Sequence, residues 1–319
     1  MKKVKNEIRI CQTIWQHPNI SRIDISKKLN LDKSTISIEV SCLIEQGIII
    51  EQEETLPALK GGRRPISLTI NKNYGITIGI AIQSGQYTAV AVNLAGEILE
   101  VKEDFLSITK ENLALNIQLI YWEFKNSLNK YPGILLGIGI GVGGLVNQHD
   151  GTILYSVPLK ITEPFNFVKT ISEKLETSFI LENNANCCAW GELTFHKNKD
   201  LKNILFVLVE FKQAVVPHEE YGGVGIGFGI VLNGKVHYGS HSSAGEFRSV
   251  LCSEENELQV SLSRDSLDRI LTDKSVLDQF ASELSKNIAM LVNTLDFSQV
   301  FIGGDINNCD FDFCHILEE

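Results

Sequence analysis

Glycine-rich runs of branched apolar residues recur along the last three quarters of the sequence, and they constrain the fold more than any other feature. They read "GITIGIAI", "ILLGIGIGVGG", "GVGIGFGIVLNG" and "VFIGGD". Short runs this rich in β-branched residues predict buried strands. Amphipathic segments between them, at about 111–130, 165–175, 186–195 and 275–295, predict helices. The alternation predicts an α/β body with mixed sheets over residues 73–319.

A weak internal repeat divides this body into two halves. "GIAIQSGQYTAVAVNLAGEIL" has the order strand, glycine turn, strand, "LAG" turn, strand. "LFVLVE", followed later by "GVGIGFGIVLNGKVHYG", has a similar order, with "LNG" as the turn. Two lobes that each open with a β-meander and continue with helices predict the duplicated ribonuclease-H-like fold of sugar kinases and actin. The cleft between two such lobes is where a ligand is expected.

The first 70 residues differ from the body in charge and in pattern. Residues 1–72 contain 12 Lys and Arg against 8 Asp and Glu, whereas the remainder contains 17 against 31. Three short helices are predicted: one over about Lys5–Gln16, one capped by Ser21, and one capped by Asp32 and ended by Gly47. Because only "NLD" joins the second helix to the third, the pair predicts a helix-turn-helix. The basic balance predicts a polyanionic partner for this head alone.

The outer face of the third helix is small and polar, which suits an approach to DNA. Its side chains can donate to phosphates or read base edges, and the candidates are Lys33, Ser34, Thr35, Ser37 and Ser41. "GIIIEQEE" and "GGRRPISLTI" then predict a two-stranded wing, and Arg63 and Arg64 at its tip suit the narrow minor groove. These features predict a winged helix-turn-helix DNA-binding domain over residues 1–70. The alternative is an ordinary three-helix unit with a solvated basic loop.

Taken together, these segments make the chain resemble the ROK family of repressors, open reading frames and kinases, in the branch that includes xylose-type repressors. The resemblance covers essentially the full chain and rests on "GGRRP", "LGIGIGVGGLVN", "LENNANCCAWGE", "GVGIGFGIVLNGKVHYGSHSSAGEF" and "VFIGGD". It implies a winged head joined to a two-lobed, actin-like body of the sugar-kinase type. It also implies double-stranded operator DNA and a sugar or sugar-derived effector as partners, and a homodimer or higher homo-oligomer.

The chain departs from the family's kinases at the residues that carry catalysis. Those kinases have Asp–x–Gly–Gly–Thr for the ATP phosphates, but "AIQSGQYT" places Ala81 at the acidic position. Their match to "ENNAN" reads Asn–Asp–Ala–Asn, and its aspartate is the general base. Asn184 stands at that position, and an amide has no useful basicity near neutral pH. The sequence therefore predicts a site that holds a sugar without phosphorylating it, hence no enzyme and no cofactor.

The resemblance assigns the ligand site to Asn183, Asn184, Glu246 and Gly144. The two asparagines have a second interpretation that is compatible with the first, because either could cap the helix that follows them. In the family motif Gly–Glu–x–Gly–His, here "GEFRS", Ser249 replaces the histidine. Of the family's cysteine-rich zinc motif only Cys252 is present, and one thiol cannot build a four-ligand site. We therefore expect no metal.

Several expectations remain open at the level of sequence. "GVGIGFG" is interpreted either as a second phosphate loop or as a tight β-turn, and "FIGGD" is followed by so few residues that the second lobe is expected to be incomplete. Seven scattered cysteines and the lack of an apolar run of about 18 residues predict a reduced, cytoplasmic protein without a membrane partner. The predicted function is a sugar-responsive transcriptional regulator. The alternatives are a DNA-binding protein with a ligand-independent dimerisation body, and a sugar kinase.

Overall fold

The computed structural model describes residues 2–52, 66–83, 85–172, 174–196, 201–212, 223–309 and 313. The head, in chain order, comprises α1 Lys2–Gln16, β1 Ile20–Ser21, α2 Arg22–Leu29, α3 Lys33–Glu45, β2 Ile49–Gln52 and β3 Ser67–Ile70. The three strands form an antiparallel sheet in the order β1-β3-β2. The buried side chains of this unit form one cluster, which includes Ile10, Ile14, Ile25, Ile36, Val40 and Leu43.

The head shows why its helices begin where the sequence predicts. Ser21 precedes α2 with an extended backbone, and its Oγ accepts from the Asp24 amide at 3.2 Å and donates to Asp24 Oδ2 at 2.7 Å. This reciprocal pair satisfies an amide that has no partner within the helix. Asp32 takes the predicted N-cap position of α3, although its side chain accepts no capping hydrogen bond from the described residues.

Lobe one follows the head after a four-residue connection, residues 71–74. In chain order it comprises β4 Gly75–Gln83, β5 Gln86–Asn93, β6 Ile98–Phe105, α4 Leu113–Ser127, a 3-10 turn Leu128–Lys130, β7 Ile134–Val142, β8 Leu145–Asn147, β9 Thr152–Tyr155, β10 Phe165–Asn166, α5 Phe167–Ile171 and β11 Phe179–Asn183. The main sheet has the order β11-β7-β4-β5-β6. Strands β4, β5 and β6 are antiparallel, whereas β7 and β11 run parallel to β4.

Lobe two repeats this plan. It comprises α6 Asn184–Phe195, β12 Ile204–Lys212, β13 Gly223–Leu232, β14 Lys235–Val236, α7 Arg264–Leu267, α8 Lys274–Leu295, β15 Gln299–Gly304 and a 3-10 turn Asp305–Asn308. Its sheet has the order β14-β13-β12-β15, with an antiparallel β12–β13–β14 meander and with β15 parallel to β12. In both lobes a helix, α4 or α8, precedes the strand that runs parallel to the first one. The predicted two-lobed fold is therefore confirmed.

Three predictions about elements need correction. The helix expected over 165–175 is the short strand β10 followed by the five-residue α5, and β10 closes a small sheet with β9 and β8 that the sequence did not reveal. The short helix α7 was also missed. "GVGIGFG" lies inside the continuous strand β13, as the pattern of branched residues predicts, so the interpretation of it as a tight turn is wrong.

The glycines of β13 have a packing role instead. A Cβ at Gly229 would lie 2.4 Å from the Ala185 carbonyl oxygen and 2.7 Å from Ala189 Cβ. Only a residue without a side chain lets α6 lie this close to the sheet, and this contact fixes α6 on lobe two. In the described part of the chain, no helix combines the length and the apolar character that crossing a membrane requires.

Candidate ligand cleft and DNA-binding face

The predicted DNA-contacting side chains of α3 lie on one side of that helix. Lys33, Ser34 and Ser37 are exposed, and Thr35 and Ser41 are half-buried at the edges of the same face. The opposite side carries buried residues that pack against α1 and α2. The face is therefore available to a partner without any unpacking of the head. Arg63 and Arg64 lie outside the described residues.

Sequence reasoning missed two residues of this surface. Ile38 lies on α3 and is 66% exposed, which places an apolar group among the small polar ones. Such a group can contact a thymine methyl in the major groove. Arg22 at the start of α2 donates to Ser37 Oγ at 3.4 Å and forms an ion pair with Glu51 at 2.8 Å. Exposure of an isoleucine and pairing of an arginine depend on tertiary geometry, so no sequence signal identified them.

Asn183 ends β11 and caps α6. Its Oδ1 accepts from the amides of Ala185 at 2.9 Å and Asn186 at 3.2 Å, and its Nδ2 donates to the Gly144 carbonyl at 2.8 Å. The amide side chain thus joins the start of α6 to the turn between β7 and β8. The capping interpretation is correct for Asn183, and the same side chain contacts Gly144, which the resemblance also assigns to the ligand site.

Asn184 takes part in a chain of side-chain hydrogen bonds that crosses the cleft. Its Nδ2 donates to Glu210 Oε2 at 3.2 Å, and Glu210 Oε1 accepts from Gln83 Nε2 at 2.8 Å. Gln83 Oε1 in turn accepts from Gln86 Nε2 at 2.8 Å. Gln83 and Gln86 flank the β4–β5 turn of lobe one, and Glu210 lies on β12 of lobe two. We call these four residues the interlobe chain.

Part of the interlobe chain lies in the segment that the family resemblance aligns with the kinases' phosphate motif. Gln83 lies two residues beyond Ala81, in the segment that replaces Asp–x–Gly–Gly–Thr. The sequence did not single out Gln83, Gln86 or Glu210, because residues 127 positions apart become neighbours only after folding. A carboxylate is therefore present 3.2 Å from the Asn184 amide, although Asn184 itself is no base.

A second polar cluster lies beneath the asparagines and centres on Glu182, which is buried. One carboxylate oxygen accepts from the Asn183 backbone amide at 2.8 Å and from Asn186 Nδ2 at 3.2 Å, and the other accepts from the Tyr238 hydroxyl at 2.8 Å. Trp190 Nε1 donates to the same hydroxyl at 3.2 Å. Burial, together with the Glu182 charge, raises the pKa of Tyr238 to about 12. The phenol is therefore a fixed donor that ties β11 to the segment after β14.

Glu246 lies on the lobe-two side of the start of α6. Its backbone pairs with Gly227 of β13, and a Cβ on Gly227 would lie 3.1 Å from Ala185 Cβ. The residue keeps considerable solvent exposure, but the protein atoms around its carboxyl group desolvate it and raise its pKa. Ser249 has a structural role, because its Oγ accepts from Asn287 Nδ2 and from the Leu251 amide, each at 3.1 Å.

The cysteines near the site do not fit a metal or a redox centre. Cys252 Sγ contacts the Leu258 carbonyl at 3.7 Å, and burial is the main cause that raises the pKa of its thiol. Within the described residues, His, Cys, Asp and Glu form no group of three or more that could hold a metal. Burial also raises the pKa of Cys187 to about 12 and of Cys188 to about 11, so both thiols stay protonated and pack as small side chains.

The geometry supplies donors and acceptors for hydroxyl groups. Amides of Asn184, Gln83 and Gln86 and the Glu210 carboxylate converge between the two lobes, and Asn183 positions the helix that carries Asn184. Amide groups both donate and accept, which suits the hydroxyls of a sugar. The β4–β5 turn lacks the glycine cradle that would receive a triphosphate.

Comparison with a protein-family model matches residues 77–257 to the ROK family. The chain belongs to the ROK family. Among its relatives, it is 32% identical over 238 residues to the xylose repressor of Lactiplantibacillus pentosus, with 74% of this chain and 57% of the repressor aligned. The chain spans 57–61% of the length of the curated xylose-repressor relatives that it matches.

Solved structures of the family share the fold. A ROK family transcriptional regulator, described as a homologue of the E. coli MLC protein, aligns with 99% of this chain and 86% of its own at a TM-score of 0.74 and 21% identity. A ROK family glucokinase from Streptomyces griseus, solved with glucose and AMPPNP, aligns with 73% of this chain and 84% of its own at a TM-score of 0.56 and 18% identity.

Proposed function

We propose that the protein is a DNA-binding transcriptional repressor of carbohydrate metabolism whose body binds a sugar between its lobes. The observation that carries the proposal is the combination of a three-helix head, whose α3 exposes a small polar face, with a kinase-type body that has Asn184 at the position of the catalytic base. A head of this kind suits operator DNA, and an amide at this position suits holding a sugar rather than phosphorylating it.

The proposal assigns a role to each part of the chain. Residues 1–70 bind the operator through Lys33, Ser34, Thr35, Ser37 and Ser41 and, at the wing tip, through Arg63 and Arg64. Residues 73–319 bind the effector and join two copies into a homodimer. The ligand contacts come from Asn184 and Glu246, while Asn183 and Gly144 shape the site. A ligand alters DNA binding only if it prefers one arrangement of the lobes.

Two measurements test the proposal. Duplexes selected by the protein from random-sequence DNA provide an operator, and a thermal-shift screen with D-xylose, D-glucose and further pentoses and hexoses provides an effector. A sugar that binds only the folded state must raise the melting temperature. We expect at least one neutral sugar to do so and to change the affinity for the selected duplex. Lack of any selected sequence would refute the proposal.

The wing assignment has its own test. Replacing both arginines, Arg63→Ala with Arg64→Ala, is expected to weaken binding to the selected duplex and to flatten its salt dependence by about one to two units in the log–log slope. The measurement is fluorescence anisotropy between 50 and 200 mM salt, a range in which phosphate contacts dominate. Unchanged affinity and slope in the double variant would show that the wing does not contact DNA.

A second candidate is a DNA-binding protein whose body only dimerises. The observation that favours it is the saturation of the cleft: Asn183, Asn184, Gln83 and Glu210 bond to other groups of the same chain. Selected DNA without any sugar-dependent thermal shift would support this candidate. The kinase alternative is tested by a coupled ATPase assay with the same sugars, and the control is Glu210→Gln, which removes the only cleft carboxylate that contacts Asn184 among the described residues.

A further inference from the structure

Trp15, near the end of α1, contacts the body at a point away from the covalent connection. Its Nε1 donates to the Thr194 carbonyl at 3.1 Å, across 179 positions of sequence. Its indole ring meets the ring of Phe195 edge-on, with the centroids 6.2 Å apart. Thr194 and Phe195 form the last turn of α6, so α1 of the head rests on the C-terminal end of that helix.

The same indole also touches lobe one. Gly96, in the turn between β5 and β6, has φ +84°, and a Cβ there would lie 2.4 Å from Trp15 Cη2 and 3.0 Å from Phe195 Cε1. Glu97, the next residue, forms an ion pair with Lys72 of the connection at 3.4 Å. Trp15 is therefore enclosed on one side by a turn of lobe one and on the other by a helix fixed to lobe two.

Helix α6 spans the distance between this contact and the cleft. Its 12 residues correspond to a length of about 18 Å. Its first residue, Asn184, belongs to the interlobe chain, and its last residue, Phe195, contacts Trp15. The close approach of Ala185 and Ala189 to Gly229 makes the helix move with lobe two as one body. A change in the position of lobe two against lobe one must therefore change the space available to Trp15.

Two attachments to the body determine how the head is oriented. The connection is bonded to the head, where the Asn71 amide donates to the Ile48 carbonyl at 2.9 Å, and to lobe one, where the Ile134 amide donates to the Tyr74 carbonyl at 3.2 Å. The Trp15 contact is the attachment that also reaches the helix fixed to lobe two. We propose that Trp15, held between Gly96 and the end of α6, transmits the relative position of the two lobes to the DNA-binding head. This inference rests on the proposed function and assigns its regulation to a particular contact. Trp15 is a positioning residue, because it touches neither the ligand cleft nor the face of α3.

The test compares two tryptophans in the full chain. Trp15→Phe removes the hydrogen bond to Thr194 and part of the ring. Gly96→Ala forces the indole out of its position without substituting residue 15 itself. Trp122→Phe is the matched control, because Trp122 lies on α4 of lobe one and is 36% exposed. Sugar binding is measured by thermal shift with D-xylose and with any other sugar that the screen identifies. DNA binding is measured by anisotropy with the selected duplex, with and without that sugar.

Wild-type protein and Trp122→Phe are expected to show the same sugar-dependent change in DNA affinity, within the range of about 5- to 150-fold that is typical of coupled sites. In Trp15→Phe and Gly96→Ala that change is expected to fall below about twofold, while the sugar-induced thermal shift stays at its wild-type value. If sugar changed the DNA affinity of Trp15→Phe and Gly96→Ala as much as that of the wild-type protein, the proposal would be overturned, because the coupling would then use another route.

A double-mutant cycle decides the matter without any sugar. Asn184→Ala breaks the interlobe chain at the far end of α6, and its effect on DNA affinity is measured with Trp15 and with Trp15→Phe. Transmission through α6 predicts that Asn184→Ala changes DNA affinity only when Trp15 is intact. Additive effects, to within about 0.5 kcal/mol, would falsify the coupling. If no sugar binds but the cycle is non-additive, the effector part of the proposed function fails and the coupling stands.

Discussion

The outward face of α3 and the cleft between the lobes are both mainly polar, but their polar groups are paired differently. On α3, Lys33, Ser34 and Ser37 are exposed to solvent. In the cleft, Asn184 and Glu210 bond to each other and to groups of both lobes. A surface of the first kind can accept a partner directly, whereas one of the second kind must first exchange its own hydrogen bonds. Polar composition alone therefore does not show whether a site is open.

The openness of the α3 face is tested most strongly by a variant that adds a repelling charge to it without disturbing the fold. Ser34→Glu adds a negative charge near the start of α3, where the helix dipole tolerates it but DNA phosphates repel it. We expect affinity for the selected duplex to fall about 10- to 100-fold, the scale of a lost contact worth 1–3 kcal/mol. Ser253→Glu, an equal charge change on an exposed loop of lobe two, is the control in the same anisotropy assay. Equal losses in the two variants would mean that net charge, and not this face, governs binding.

A second variant weakens the cleft while leaving the head intact. Gly229→Ala places a methyl group 2.4 Å from the Ala185 carbonyl oxygen, so α6 must shift, and we expect a loss of about 1–3 kcal/mol in the free energy of unfolding. Gly191→Ala is the matched control, because a Cβ there meets nothing within 4 Å. As a helix substitution, it is expected to stabilise by up to about 1 kcal/mol. Urea unfolding measures both, and the packing argument is wrong if Gly229→Ala proves as harmless as Gly191→Ala.

A third variant tests the saturation of the cleft through its pH dependence. Asn184→Asp restores the residue type of the kinases but places a carboxylate 3.2 Å from Glu210 Oε2. Two like charges raise the pKa of the pair in the folded state. The penalty is therefore absent below the unfolded pKa near 4 and complete above the raised folded pKa, at about 1–2 kcal/mol near neutral pH. Melting temperatures at pH 4 and pH 7 measure it.

The control for the third variant is the same substitution with Glu210→Gln, which removes the second charge. In that background the extra loss of stability at pH 7 is expected to disappear. A loss that persists would show that Asn184→Asp acts on something other than Glu210, and the interlobe chain would lose its support.

The smallest expected effect is at Glu246. Desolvation raises the pKa of its carboxyl group in the folded protein, so ionisation opposes folding above the folded pKa and has no influence below the unfolded one. Glu246→Gln is expected to raise the melting temperature slightly at pH 7, by the equivalent of at most about 0.5 kcal/mol, and to leave it unchanged at pH 4. A lower melting temperature at pH 7 would indicate a favourable contact of the carboxylate that the structure does not show.

Much of the fold was predictable because its signals are local. Ser21 caps α2 through its own side chain, and the strands of both lobes follow from branched residues and turns. The turn interpretation of "GVGIGFG" failed because glycines usually mark turns, whereas Gly227 and Gly229 make room for α6 within the strand. The segment 165–175 was misjudged because two residues of it, Phe165 and Asn166, pair with β9 before α5 begins. In both places a tertiary contact overrides the local preference.

The site was predictable only in part. Asn183, Asn184 and Gly144 were assigned to the candidate site because the family resemblance fixes their positions along the chain. Glu210 and Gln83 were missed because they come together only across the cleft, and no local sequence pattern indicates that the two side chains form a hydrogen bond. Glu182 was overlooked beside the asparagines, because its role depends on Tyr238 from the other lobe. The sequence does not show how these polar groups pair, because their pairing depends on how the two lobes pack together.

The hydrogen bonds of the interlobe chain compete with any ligand for the polar groups of the cleft. Any incoming molecule must displace amide–carboxylate bonds that are already satisfied, so its net affinity is the difference between the bonds it forms and those it replaces. A hydroxyl-rich molecule that substitutes for them one by one gains little. We therefore expect a ligand of this cleft to bind weakly, so that the cleft is occupied only when the ligand concentration is high.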